Sequence, residues 1–581
     1  MKGPYVLGAA EAVWRRLRAE EALRHGHAAG KEAKALDSSI WSDLAVELQL
    51  RILGMLPPNY IAFSPSPPNE FHRKWGVPSA TSALTYDKRK QLLCLIAASG
   101  SVANLMSAEE GAGLLLREEV VEAAAAAGQR EVCRWLVRQV GVPWGNSLDA
   151  AAGTGRQAMC NWLLAQGCKG DFMSAAIAAA RGGHVSLMDW LLALLPDHSQ
   201  LQASEHWPLL QLLGAVAEGC DLATLIRMHQ QLTLGGGGLQ LQRQEGQQQA
   251  NGGDAGKVVA CAAGSLTPCW QAKVEWLLDL GYPAIPWNPF VPPGSTSGEA
   301  RYCPDALLGR LAWLRQRGFP VGRGQYESAA SEAARAGNMA VLNTMFPRDG
   351  QAWGPDVEAD EDYWIMLGQD DSLPTSRAAA EGRVDVLELL SSRGFRMDRE
   401  CMADLAAYRG HVNVLMWMEE KGFGRFIRTG HMAFVSVQSG SLETVTWLYE
   451  HGCPPRLPDV QRPQDIYEVA VPSGCVDMLE WLVTQGLAKV PGRAFWWACV
   501  HGDLNMLRCL VRLCLPWQPA GNDLTNVAGC TLCPPAMVPH LLEAGCPVDY
   551  EQALAAALRR GTTVGAKFHY LTDGNEVIAH L

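Results

Sequence analysis

Residues 401–454 read CMADLAAYRGHVNVLMWMEEKGFGRFIRTGHMAFVSVQSGSLETVTWLYEHGCP, and this stretch contains two copies of one unit. Each copy has a glycine, Gly410 or Gly440, behind a segment of small and apolar residues. Counted from this anchor glycine, an apolar residue or Thr stands at +4, Trp at +7, an apolar residue at +8 and Gly at +12. The first three positions share one helical face, and the last glycine suits the left-handed backbone that ends a helix. Each unit therefore predicts a helix–turn–helix hairpin with the anchor between its helices.

The unit recurs along most of the chain, at clean spacings of 27, 28 and 30 residues. The anchors with the full pattern are Gly128, Gly155, Gly183, Gly382, Gly410, Gly440 and Gly474, and looser copies occur at Gly100, Gly219, Gly337, Gly502 and Gly561. Three segments, 274–283, 311–320 and 538–547, keep only the second helix. A repeat of this length predicts stacked units that bury their apolar faces against each other. The small pair before an anchor, such as Ala179–Ala180, indicates close approach of neighbouring hairpins.

The signature A-A-x-x-G…V-x-x-W-L…G-C-P resembles the ankyrin repeat in a divergent, short form, over residues 90–575. The T-P-L-H tetrapeptide of ordinary ankyrin repeats is missing, and the period is shorter than their ~33 residues. The resemblance implies an all-α solenoid whose first helices face a concave, protein-binding surface. The residues just before the anchors are then candidate protein-binding residues: Arg181, Glu381, Tyr408, Arg409, Gln438 and His501. Tyr and Arg are frequent interface anchors.

Residues 40–60 read IWSDLAVELQLRILGMLPPNY and place Leu44, Leu48, Ile52 and Leu56 on one helical stripe. This string resembles the first helix of an F-box, although Ala45 stands where that family usually has Pro. The resemblance implies docking on the Skp-type adaptor subunit of a cullin-RING ubiquitin ligase. The alternative is a helix that caps the first repeat. We favour the cap, because the Pro- and Ser-rich residues that follow interrupt the remaining F-box helices.

Composition shifts predict the boundaries along the chain. The predicted segments are a charged helical extension (1–36), the F-box-like or capping helix (37–60), a Pro/Ser-rich linker (61–86), array 1 (87–233), a Gly/Gln-rich linker (234–256), the irregular array 2 (257–346), an acidic insert (347–373) and array 3 (374–581). In a quasi-one-dimensional array each hairpin contacts only its neighbours, so arrays 1 and 3 are expected to unfold separately.

Composition and net charge narrow the classes of function and the cellular compartments expected for this protein. A net charge of −11 over 581 residues argues against nucleic-acid binding, and no apolar run is long enough for a membrane span. The 17 Cys are scattered, which indicates buried thiols in a reducing compartment, cytoplasmic or nuclear. The C-terminal Ala579-His580-Leu581 loosely resembles a peroxisomal address, a weaker alternative.

No sequence pattern predicts catalytic, cofactor-binding or metal-binding residues. The pair Cys530 and Cys533 has zinc-like spacing but lacks a second pair, so we interpret both as structural cysteines. The Trp residues at +7, among them Trp447, repeat in phase with the helices and are interpreted as core. The sequence thus predicts a non-enzymatic scaffold that binds protein partners, and the alternative is an F-box-type substrate adaptor.

Overall fold

The computed structural model describes ten stretches of the chain, and α-helix dominates them. They are residues 68–195, 206–234, 252–284, 304–319, 323–345, 374–395, 397–453, 466–486, 493–518 and 522–562. Within these residues no β-strand forms, and one isolated antiparallel bridge joins Leu114 and Asp503. The prediction of an all-α, helical-repeat fold is confirmed. Two compact units are distinguished by their internal contacts: unit 1 draws on Met1–Gly145 and Arg428–Leu581, and unit 2 on Asn146–Ile427.

Unit 1 holds the first and the last helices of the described chain. Its N-terminal helices are α1 (Pro68–Trp75), α2 (Tyr86–Ser99), α3 (Val102–Ala112), α4 (Glu118–Ala127) and α5 (Arg130–Trp135). Its C-terminal helices are α22 (Gly430–Ser439), α23 (Leu442–Glu450), α24 (Ile466–Ala470), α25 (Val476–Thr484), α26 (Ala494–His501), α27 (Leu504–Arg512), α28 (Asn522–Gly529), α29 (Met537–Glu543) and α30 (Tyr550–Thr562).

Unit 2 holds the helices between them. They are α6 (Ser147–Gly153), α7 (Gln157–Ala165), α8 (Phe172–Arg181), α9 (Val185–Ala193), α10 (His206–Gly219), α11 (Leu222–Leu234), α12 (Gly252–Ala263), α13 (Trp270–Asp279), α14 (Pro304–Gln316), α15 (Arg323–Ala336), α16 (Met339–Met345), α17 (Pro374–Ala380), α18 (Val384–Ser392), α19 (Arg399–Arg409), α20 (Val412–Glu420) and α21 (Gly424–Ile427).

Ten of the twelve anchor glycines have a positive φ and lie in the turns between paired helices, as predicted, whereas Gly219 ends α10 and Gly561 lies inside α30. Gly410 has φ +80° and Gly440 has φ +74°, a left-handed backbone that glycine adopts without the steric cost a side chain would add. The glycines at +12 end the second helices in the same conformation, with φ +81° at Gly422 and +83° at Gly452. Local sequence therefore fixes both turns of the hairpin.

Small residues allow the first helices of successive hairpins to stack closely. In unit 2, α6 packs on α8, α8 on α10, and α17 on α19. Ala179 and Ala180 are fully buried, and a side-chain carbon at Gly219 would collide with the backbone oxygen of Ala180. The sequence-based prediction of close approach at the small pair is confirmed at this contact.

Helices α1 and α12 begin well inside segments predicted as linkers. Helix α1 begins at Pro68, within the Pro/Ser-rich segment, and a proline at a helix start loses no hydrogen bond because that N–H has no intrahelical acceptor. Helix α12 begins at Gly252, within the Gly/Gln-rich segment. The charged extension 1–36, residues 37–60 and the acidic insert 347–373 lie outside the described residues.

Unit 1 joins segments that are almost 400 residues apart in sequence. The backbone N–H of Leu115 donates to the carbonyl of Gly502 at 2.9 Å, and that of Leu504 donates to the carbonyl of Gly113 at 2.8 Å. Helix α2 also packs on the short 3₁₀ helix Val471–Ser473. The hairpin of α2 and α3 therefore packs on the anchor turns of the C-terminal hairpins.

A buried ion pair lies at the centre of this contact. The guanidinium of Arg89 forms an ion pair with the carboxylate of Asp503. Both side chains are almost completely buried, with exposed fractions of 1% and 2%. Arg89 also donates to the carbonyl of Ala112 at 2.6 Å and to that of Gly474 at 2.7 Å. Asp503 in turn accepts from the backbone N–H of Met506 at 2.9 Å and so caps α27. The charges are well paired, as buried charges must be.

Candidate protein-interaction surface

The six candidate binding residues differ in how accessible they are. Tyr408, Arg409 and Gln438 are exposed, whereas Arg181, Glu381 and His501 are partly covered. Four of the six belong to unit 2, and Gln438 and His501 belong to unit 1. The structure thus singles out a short exposed segment at the end of α19.

Helix α19 holds Tyr408 and Arg409 on a well-fixed helix end. Its first turn is capped by Asp398, whose carboxylate accepts from the N–H of Cys401 at 3.1 Å. At its other end the N–H of His411 donates to the carbonyl of Ala406 at 2.8 Å. Ala406 is fully buried, while 47% of Tyr408 is exposed. A large aromatic side chain is therefore presented on a rigid support.

Glu381 lies in a turn that the next hairpin holds in place. His411 Nε2 lies 2.9 Å from the carbonyl oxygen of Ala380, and Asn413 Nδ2 donates to the carbonyl of Gly382 at 2.8 Å. These two contacts hold the backbone on both sides of Glu381. The turn at Glu381 and the residues after α19 are therefore directly hydrogen-bonded to each other.

Arg181 and His501 have internal partners. The guanidinium of Arg181 lies 3.3 Å from the buried carboxylate of Glu218, which offsets its charge. The ring of His501 packs on Tyr86, with centroids 4.3 Å apart. Burial is the main cause that lowers the pKa of His501. Both side chains contribute to packing inside their own unit, and neither stands out from the surface as Tyr408 does.

The Trp residues at +7 are less buried than the sequence suggests. Trp417 is buried, but Trp135, Trp162, Trp190, Trp276, Trp447 and Trp481 are only partly covered. The residue at +8, for example Leu448, is fully buried instead. Trp447 stacks on His451 with ring centroids 4.1 Å apart. These Trp side chains therefore pack at the edge of the core rather than at its centre, as Trp481 does, because +4 and +8 lie at the middle of the apolar stripe and +7 lies at its edge.

Cys530 and Cys533 lie in one tight turn. The N–H of Cys533 donates to the carbonyl of Cys530 at 3.4 Å, and the Cys533 carbonyl accepts from Arg560 at 3.1 Å. Burial raises the pKa of the Cys533 thiol well above its ordinary value. Across the described stretches, no group of three or more His, Cys, Asp or Glu side chains could hold a metal ion.

Other sequence predictions fall outside these stretches. The stripe Leu44, Leu48, Ile52 and Leu56 and the C-terminal tripeptide 579–581 lie outside the described residues. Among the helices that are described, none is both long enough and apolar enough to cross a membrane.

Comparison with known proteins does not assign this chain to a family. No protein-family model matches this chain, and no curated protein matches it. Among solved structures it is similar to the pentatricopeptide repeat protein PPR10 from maize, with 12% sequence identity over 93% of this chain and 85% of that one. The TM-score of that match is 0.25, which is too low for the likeness to bear on function.

Proposed function

We propose that this chain is a non-enzymatic scaffold of short, ankyrin-like helical hairpins that binds protein partners through the ends of its first helices. The observation that carries this proposal is the exposed Tyr408–Arg409 pair on the capped and buried helix α19. Tyr and Arg account for much of the binding energy in protein interfaces, and a rigid support reduces the entropy lost on binding. The hairpin pattern A-A-x-x-G with a glycine-ended second helix supports the ankyrin-like assignment.

A paired substitution tests this surface. We expect Tyr408→Ala combined with Arg409→Ala to weaken a bound protein by about 30-fold or more, the size of one interface hot spot at ~2 kcal/mol. The partner is first identified by proximity labelling with the full chain, and its affinity is then measured for purified proteins.

The matched control is Tyr449→Ala. Tyr449 is 41% exposed, close to Tyr408, but it lies on a second helix, α23. The control variant should retain the partner with wild-type affinity. Equal binding by wild type and the double variant would show that this surface is the wrong one, provided that hydrogen exchange reports an unchanged α19.

The second candidate function is that of an F-box-type substrate adaptor, supported by the sequence of residues 40–60. Under this hypothesis the stripe that includes Leu48 docks on a Skp-type subunit. Leu48→Asp in the full chain should then abolish co-purification with that subunit and leave the unfolding of α2–α5 unchanged. Under the capping hypothesis, the same variant places a charge in an apolar contact and destabilises α2–α5. Failure to recover a Skp-type subunit with the wild-type chain removes the adaptor hypothesis.

A further inference from the structure

The turn between α28 and α29 lacks the anchor glycine of the regular hairpins. Its anchor position, four residues before Val538, holds Pro534. The chain turns instead between Cys530 and Cys533, where the N–H of Cys533 donates to the carbonyl of Cys530 at 3.4 Å. The carbonyl of Pro534 then accepts the N–H of Met537 at 3.0 Å, where α29 begins. Two cysteines therefore occupy the two ends of one hydrogen-bonded turn.

The geometry of this turn brings the two cysteines within reach of a disulfide bond. A turn closed by such a hydrogen bond keeps the Cα atoms of its first and fourth residues within ~7 Å of each other. Cysteines joined by a disulfide have Cα atoms about 4.4–6.8 Å apart. Burial is the main cause that raises the pKa of the Cys533 thiol, and the neighbouring Cys530 thiol adds to it. The two sulfurs can therefore be joined without a large movement of the backbone.

The two thiols differ in how accessible they are to a reagent in solution. Cys530 is partly exposed, and the two residues between the cysteines are exposed, with Leu532 at 64%. Cys533 is only 1% exposed and belongs to the hydrophobic core of unit 1. An oxidant from solvent therefore reaches Cys530 first. The buried and protonated Cys533 reacts only with a sulfur held beside it in the turn.

We propose that Cys530 and Cys533 form a reversible disulfide, which makes this turn a redox-sensitive modification site. The oxidant is a low-molecular-weight disulfide of the glutathione type. The Cys530 thiolate attacks one of its sulfurs, so the S–S bond of the oxidant breaks, a mixed disulfide forms and one small thiol is released. The Cys533 thiol then gives up its proton and displaces the second small thiol from Cys530. Two protein thiols are oxidised, and one small disulfide is reduced to two thiols.

The small size of the loop makes this bond easy to reverse. It closes a loop of only four residues, which restricts the unfolded chain little, so the disulfide contributes little stability and remains open to reduction. Disulfides in reducing compartments are usually transient or redox-sensing. The turn lies in unit 1, whereas Tyr408 lies in unit 2, and the test of the disulfide does not depend on the scaffold function.

Peptide mapping by mass spectrometry of the full chain, after incubation with oxidised glutathione, tests the proposal. We expect the wild type to lose two hydrogen atoms from the peptide that holds Cys530 and Cys533, with both thiols protected from alkylation until dithiothreitol is added. Cys514 is the internal control, because it is exposed and lies outside the turn; it should keep its glutathione adduct. Reduced Cys530 and Cys533 beside a modified Cys514 overturn the proposal, and so does a disulfide from Cys530 to any other cysteine.

Two variants separate the roles of the cysteines. Cys533→Ala should leave glutathione attached to Cys530, because no thiol in the turn displaces it. Cys530→Ala should leave Cys533 reduced and unmodified, because the buried thiol is not reached from solvent. Hydrogen exchange of α28 checks that each variant is folded, and the wild-type result decides alone if one is not. A wild type that keeps glutathione on Cys530, or a folded Cys530→Ala variant in which Cys533 is oxidised, contradicts the proposal.

Discussion

At the scale of single residues, burial in a hairpin depends on one position in the helical register. Leu448 at +8 has no exposed surface, whereas its neighbour Trp447 at +7 is partly exposed and rests on His451. The larger side chain therefore lies at the edge of the core, and the smaller one lies inside it. Repeat signatures rich in Trp do not by themselves locate the most deeply buried residues.

We expect Leu448→Ala to lower the free energy of local unfolding around α23 by about 2–5 kcal/mol, as core leucine truncations do. Trp447→Ala should cost less than that, about 1–2 kcal/mol, because the partly exposed ring loses one aromatic contact and only part of its apolar burial. Hydrogen exchange of α23 measures both values without assuming that the whole chain unfolds in one step. Equal costs for the two variants would contradict the assignment of +8 to the core and of +7 to its edge.

At the scale of one element, helix α28 contains a buried acid. Asp523 is 1% exposed, its carboxylate accepts from the N–H of Gln518 at 2.7 Å, and burial raises its pKa from 3.8 to about 6. The folded protein thus holds this proton more tightly than the unfolded chain. The stability that protonation contributes is complete below pH 3.8 and is lost as the pH rises through about 6.

We predict that Asp523→Asn removes this pH-dependent loss of stability. The stability of the variant relative to the wild type should rise between about pH 4 and pH 6 and then level off, by ~1.4 kcal/mol for each unit of pKa difference. Denaturant unfolding of α28, monitored by hydrogen exchange at several pH values, measures how the stability difference between variant and wild type changes with pH. Glu551→Gln, at an exposed position of α30, is the control and should show no such rise. A difference that is constant with pH contradicts the prediction.

At the scale of the whole molecule, the separate unfolding expected of arrays 1 and 3 does not fit the contacts within unit 1. Helices α2 and α3 of array 1 are hydrogen-bonded to the turns before α25 and α27 of array 3. The ion pair Arg89–Asp503 connects residues 414 positions apart. Removing this connection should therefore loosen both segments together.

We expect Arg89→Met to speed hydrogen exchange in residues 86–112 and in residues 466–512 alike. The variant leaves the Asp503 carboxylate buried without its partner, at a cost of about 3–5 kcal/mol. Adding Asp503→Asn removes that charge while an N-cap side chain remains for α27, so it should restore part of the protection. Faster exchange confined to residues 466–512 would show that the two segments unfold independently.

The amino-acid sequence by itself determined the hairpins and their turns. The apolar positions at +4 and +8 and the glycines at 0 and +12 act within one helix or one turn, so their spacing is visible in the chain. Only the tertiary structure decided which distant hairpins meet and that Arg89 is buried against Asp503. Such contacts join residues far apart in sequence, and they leave no periodic pattern in a single sequence. The accessible Tyr408 illustrates both: its place before Gly410 was predictable, whereas its exposure depends on the packing around α19.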